Sequence, residues 1–124
     1  MKPKLLLLLV VALSVSVIGC SGHVGLTGNV VYSDGEPVTM GEVQFYTPTF
    51  VARAVIRRDG TFVTGSYKDA DGLPPGTYNI AVVSFDEAGN TLIDPKFADV
   101  RTSGLSITVD QTTRNFEIVV DRPQ

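Results

Sequence analysis

The 124-residue chain has no tryptophan, one histidine and one cysteine. Each shortage narrows what it can do. A metal centre or nucleophile relay built on histidine needs its ring held in a rigid frame. His23, the one candidate, stands ahead of the first strand-like run. A single cysteine allows no intrachain disulfide, so the domain has to be held by burial alone. Without tryptophan, stacking on sugars would fall to Tyr46, Phe50 and Tyr67, which sit near predicted strand ends. There is no basic excess either: ten Lys and Arg stand against thirteen Asp and Glu. That excludes a nucleic-acid face and electrostatic docking on anionic lipid. Beyond residue 19 no run of ten or more residues carries the 3.6-residue period of a helix, which excludes a helix bundle.

What is present begins at the N-terminus. Lys2 and Lys4 precede an unbroken apolar run from Leu5 to Leu13, and small residues lead to Gly19. Basic start, apolar middle and small residues before a cut are the three parts of an export signal. A spanning helix needs about 20 apolar residues. The stretch from Leu5 to Ile18 is shorter, contains Ser14 and Ser16, and has no basic stop-transfer flank after it. Val17-Ile18-Gly19-Cys20 resembles a bacterial lipobox, with Val17 where Leu is usual. The resemblance implies that Cys20 receives a diacylglycerol thioether, becomes the new N-terminus and is acylated again, a palmitate-type modification. One chain holds a protein to a membrane only marginally, whereas two or three hold it firmly. Ser21 is not the Asp that retains some lipoproteins at the inner membrane. The expected address is therefore the cell envelope, with the outer membrane favoured over the inner.

Three regions follow: a signal peptide over 1–19, a lipidated tether over 20–25 and one domain over 26–124. Loss of the signal removes Lys2 and Lys4, leaving eight basic residues against thirteen acidic ones. A chain of this size can bury one core without staples. Its apolar residues alternate in short runs between Gly- and Pro-rich breaks, the pattern of an all-β chain. Leu26, Val30 and Tyr32 share one face of the first run, Val43 and Phe45 of the second. Ala52, Ala54 and Ile56 share a face of the third, opposite Arg53, Val55 and Arg57. Asp59-Gly60 predicts a hairpin into a fourth run around Phe62. The fifth, Thr77 to Phe85, is apolar on both faces, which places it centrally. Leu105, Ile107 and Val109, then Phe116, Ile118 and Val120, mark the last two. Seven short strands predict a seven-stranded antiparallel Greek-key β-sandwich.

Several motifs resemble the carboxypeptidase regulatory-like modules. They are Gly28-Asn29-Val30, Asp34-Gly35-Glu36-Pro37-Val38, Gly41-Glu42-Val43-Gln44-Phe45, Asp59-Gly60-Thr61-Phe62 and Leu73-Pro74-Pro75-Gly76-Thr77-Tyr78-Asn79-Ile80. Their order, spanning roughly Leu26 to Val120, is the resemblance, and it implies a prealbumin-like (transthyretin-like) sandwich. That fold also includes hydrolases of a purine breakdown product, which carry several histidines and a C-terminal Tyr-Arg-Gly-Ser. This chain has one histidine and ends Val120-Asp121-Arg122-Pro123-Gln124, so no catalytic residue is carried over.

No cofactor or metal is expected. Asp69, Asp71 and Gly72 resemble the opening of a calcium loop, but Asn79 and Ile80 stand where its later acidic ligand belongs. The function expected is a non-catalytic, lipid-anchored interaction or structural module of the bacterial envelope, monomeric, with a carbohydrate- or peptide-binding accessory module as the alternative. Its partners are the membrane, through lipid on Cys20, and an envelope protein or glycan. The segment from Asp86 to Ser103 fits no strand and is longer than ordinary loops. Leu92, Ile93, Phe97 and Val100 are expected to pin it to the sandwich, where it shields an edge. Asp86, Glu87, Asp94, Lys96, Asp99 and Arg101 then form the expected partner surface.

Overall fold

The computed structural model describes residues 25–64, 72–110, 112–113 and 115–124. They form the expected all-β sandwich of seven strands: β1 Thr27–Tyr32, β2 Gly41–Thr47, β3 Phe50–Ile56, β4 Thr61–Val63, β5 Gly76–Val83, β6 Leu105–Val109 and β7 Asn115–Val120. One sheet has the order β4-β1-β7 and the other β3-β2-β5-β6. Alternation decides which side chains face inward. Val30 and Tyr32, Phe62, and Ile118 and Val120 line the first sheet's inner face, and Val43, Phe45, Ile80 and Val82 lie buried on the second. The Phe45 ring meets Phe62 across the layers at 6.1 Å and Tyr78 edge-on at 6.3 Å. β5 lies between β2 and β6, and its Ala81 is buried on the face opposite Ile80.

Two features depart from the sequence reading. The Asp59-Gly60 turn is tight, with the Arg57 amide donating to the Thr61 carbonyl at 2.8 Å. Yet β3 and β4 belong to different sheets, so the turn carries the chain across the sandwich instead of closing a hairpin. The two-residue hairpin is Pro48-Thr49, where Thr47 pairs with Phe50. Turn chemistry is local, whereas sheet membership depends on which neighbour covers the strand. In addition, β1 and β7 pair in parallel, from Thr27↔Asn115 to Tyr32↔Val120, while every other named pairing is antiparallel. Parity explains it. Each connection reverses the chain, so odd-numbered strands run one way, and β1 and β7 are both odd.

Gly28 shows how closely the first sheet packs. A Cβ there would run into the Phe62 ring and the Phe116 carbonyl. The buried hydroxyls among the described residues are all paired. Thr64 Oγ1 donates to the Leu26 carbonyl at 3.0 Å, Ser84 Oγ to that of Met40 at 2.7 Å, and Ser103 Oγ to that of Ile80. Each ties a connecting segment to a neighbouring part of the sandwich, and no described buried side-chain polar atom is left without a partner. No helix among the described residues is long and apolar enough to cross a membrane.

Candidate functional site

Cys20 and His23 lie outside the described residues, as do Tyr67, Asp69 and Asp71. The Asp86–Ser103 segment is described throughout. It carries a 3-10 turn, Pro95–Ala98, and one helical turn, α1, Val100–Ser103, stopped by Gly104 in the left-handed conformation at φ 70°. Ile93 and Phe97 are buried, and Leu92 and Val100 are half-buried. Ser103 bonds to β5 at Ile80, where β6 stops pairing. The Asp94 amide donates to the Asp121 carbonyl at 2.9 Å, just past the end of the edge strand β7. The segment therefore bridges the two sheets on one flank and covers part of the β5 edge.

Its charged side chains are engaged close to home. Asp86 accepts from the amides of Ala88 and Asn90, both at 2.9 Å. Asp94 accepts from the Lys96 amide at 3.0 Å, and Asp99 from the Arg101 amide at 2.8 Å. Arg101 grips both Asp99 oxygens, with Nη2 at 2.8 Å from Oδ2. Lys96 lies 3.6 Å from Asp121 and over the Phe97 ring. Glu87 is exposed on the turn between Asp86 and Asn90.

The same geometry recurs around the molecule. Asp34, Asp59, Asp86, Asp94, Asp99 and Asp110 each accept the backbone N–H two residues downstream. This is the Asx turn, in which a side chain substitutes for a backbone acceptor. Donors facing a carboxylate favour its charged form. Bonds from the residues around Glu36, Thr61, Asn90 and Thr112 hold Asp34, Asp59, Asp86 and Asp110 below the usual carboxylate range. The Arg101 side chain and amide pull Asp99 down to about 2. Carboxylates pulled down in this way are poor proton acceptors at neutral pH.

A second feature was not visible in the sequence. The outer face of β4-β1-β7 forms a shallow hollow of about 680 Å³. Its floor is the backbone of Phe62, Gly28 and Phe116, whose own side-chain row faces inward, between the outward rows Thr61–Asn29–Glu117 and Val63–Thr27–Asn115. Asn29 Nδ2 donates to Glu117 Oε2 at 3.3 Å, and Arg57 and Asp59 close the rim. Arg53 and Arg57 alternate in the sequence as one face, but the structure parts them. β3 ends at Ile56, so Arg57 lines the hollow on one sheet while Arg53 meets Glu42 at 3.3 Å on the other. Phe50 is half-buried and packs edge-on against Tyr78 at 6.3 Å, and Tyr46 is half-buried with its hydroxyl donating to Gln44 at 2.9 Å.

No family model and no curated protein matches the chain. Among solved structures it is similar to a DUF3823 family protein from Bacteroides ovatus. The TM-score is 0.54 at 22% identity, over 80% of this chain and 44% of that one. A weaker likeness, TM-score 0.44 at 12% identity, is to the major pilin subunit BcpA of Bacillus cereus, over 82% of this chain and 30% of that one. The chain thus spans less than half the length of either protein, and the first likeness establishes a shared β fold.

Proposed function

We propose that the chain is a lipid-anchored, non-catalytic interaction or structural module of the bacterial envelope, built on a carboxypeptidase regulatory-like sandwich. The observation that carries this reading is the polarity of the sandwich. β1 begins at Thr27, a few residues after Cys20, beside Val63 and Asn115. The Pro48-Thr49 turn joins β2 to β3, and Gly76 opposite Val109 marks the matching end of the other sheet. The Arg57–Gly60 turn, the 84–104 segment and the end of β7 gather at the opposite end and flank. An anchor on Cys20 would hold the first end against the membrane and present the second outward. The non-catalytic part draws support from the six aspartates, whose oxygens serve turns and caps.

The experiment is expression of the full chain in a bacterial host, followed by intact mass and detergent partition. Acyl mass on an N-terminal Cys20, and its loss in Cys20→Ser with release from the detergent phase, is the expected outcome. Cleavage at another position without lipid would overturn the anchor.

A second reading, a carbohydrate-binding accessory module, rests on the hollow over Gly28. Its amide, hydroxyl and carboxyl groups are of the kind that pair with sugar hydroxyls. Binding of envelope glycans that disappears in Asn29→Ala with Glu117→Ala would favour it.

A further inference from the structure

Strand β3 is a long edge left open. It is an edge strand of seven residues, joined to β2 by seven successive antiparallel pairs from Gly41↔Ile56 to Thr47↔Phe50 with no bulge. In such a ladder alternate residues turn both backbone groups toward the neighbour. Counted from the two-residue Pro48-Thr49 turn, Phe50, Ala52, Ala54 and Ile56 face β2. The N–H and C=O groups of Val51, Arg53 and Val55 face the open side. The side chains of those same three residues lie on the outer face. Val51 is 45% exposed and Val55 70%, and the Arg53 side chain is 64% exposed.

Natural sheets blunt such edges with charged side chains, proline, a bulge, shortness or a covering loop. Among the described residues β3 has a single charge, Arg53, and none of the other devices. Two of the other edges differ: β4 has three residues, and β7 has Asp121 at its end tied to Asp94. Arg53 meets one carboxylate, Glu42, through Nε. Glu42 Oε1 also takes the Gln44 amide at 2.9 Å. The rest of the guanidinium fork remains for a second acceptor.

We propose that β3 is a strand-addition site for an extended segment of another protein. That segment carries an apolar, an acidic and an apolar residue at alternate positions, opposite Val51, Arg53 and Val55. Backbone pairing supplies the attachment and the alternate side chains the selectivity, as in other β-augmentation complexes. A second copy of this chain is a poorer occupant. The antiparallel register that sets Val51 against Val55 sets Arg53 against Arg53, and like charges directly opposite destabilise a pair. This inference is independent of the anchor and of the hollow.

The test uses the full chain in detergent and a fluorescein-labelled peptide, Ser-Thr-Val-Thr-Asp-Thr-Val-Thr-Ser, read by anisotropy and amide hydrogen exchange. Three comparisons accompany it: Lys in place of Asp, an alternately N-methylated backbone, and the Arg53→Glu chain. Saturable binding is expected, with slowed exchange confined to Val51–Val55. The Lys peptide should bind about threefold or more weakly. Arg53→Glu should reverse that order, and N-methylation should abolish binding. Val55→Pro removes one outward N–H while sparing the β2 ladder, so a chain that melts normally but no longer binds adds support. The proposal is overturned if no peptide binds, if the Asp and Lys peptides bind alike, or if N-methylation is harmless. Protection on β6 or β7 instead would also overturn it, as would self-association through β3 that the Asp peptide does not compete away.

Discussion

The 84–104 segment and the outer face of β3 are both surface, and they use their side chains in opposite ways. In the segment almost every polar group has local work. Asp86, Asp94 and Asp99 hold turns and caps, Lys96 reaches Asp121, and Ser103 fastens the chain to β5. On β3, Val51 and Val55 are exposed, Arg53 makes one ion pair, and no strand among the described residues pairs with the outward backbone. The charged region looks more like a binding surface in the sequence, but a charged group on a surface is not thereby free. A carboxylate already accepting backbone N–H bonds must give them up, or share them, before it can hold a partner. An open strand edge has no such prior claim on its groups.

Truncation should separate the two regions most widely. Phe97 is 5% exposed and anchors the segment. Phe97→Ala is expected to cost about 3–5 kcal/mol in chemical denaturation, the usual range for an emptied aromatic site. Val55→Thr, at a residue 70% exposed, should stay within about 0.5 kcal/mol. Equal losses would mean that the segment is not docked or that the β3 face is covered. Phe62→Ala belongs in the upper range, because its ring is fully buried against Phe45. Phe116 is half-buried, so its truncation should fall below that range, although alternation alone groups it with Ile118 and Val120.

Ser103→Ala comes next. The Ser103 hydroxyl donates to the Ile80 carbonyl and accepts from the Leu105 amide at 3.2 Å. Its loss leaves both without that partner, at a cost of about 1–3 kcal/mol. Faster amide exchange at Leu105 would locate the damage.

How much of this could be read in advance follows from what each element depends on. Alternation at Leu26, Val30 and Tyr32, or at Ala52, Ala54 and Ile56, is a property of one strand, and the buried faces match it. The central place of β5 was legible because Ile80 and Ala81 are both apolar. Sheet membership was not, since Asp59-Gly60 looks the same whether the next strand pairs or crosses. The hollow was hidden for a related reason. Its rows join residues 27–29, 61–63 and 115–117, which meet only through the β1–β4 and β1–β7 pairings. The helical turns at Pro95–Ala98 and Val100–Ser103 are too short to show a period, though Asp94-Pro95 and Asp99 are capping signals for them.

Acid should loosen the segment through Asp99. Asp99 has its pKa lowered to about 2 from an ordinary 3.8, chiefly by the Arg101 side chain and then its amide. A depressed carboxyl contributes stability that is complete above the unfolded value and is lost as pH falls through the folded one. The Arg101 amide and Nε resonances should therefore titrate near pH 2, while those of Val51 and Val55 stay unchanged there. In Asp99→Asn the transition should be absent from Arg101. A midpoint near 3.8 would mean that the pair does not form in solution.

The smallest effect sharpens the comparison most. Arg53 and Glu42 are a surface pair, with side chains 64% and 36% exposed. Exposed pairs contribute about 0–1 kcal/mol, because water screens them and two long side chains must be held still. Glu42 keeps its bond from Gln44 when Arg53 is gone, so no acceptor is stranded. Arg53→Ala is therefore expected to change unfolding free energy by less than about 0.5 kcal/mol. The same substitution removes the only charge that β3 sets among Val51 and Val55, so discrimination between the Asp and Lys peptides should vanish while backbone attachment persists. A stability loss well above that bound would show that Arg53 is part of what holds β3 to β2. Both regions would then be occupied by their own fold, and the contrast between them would fail.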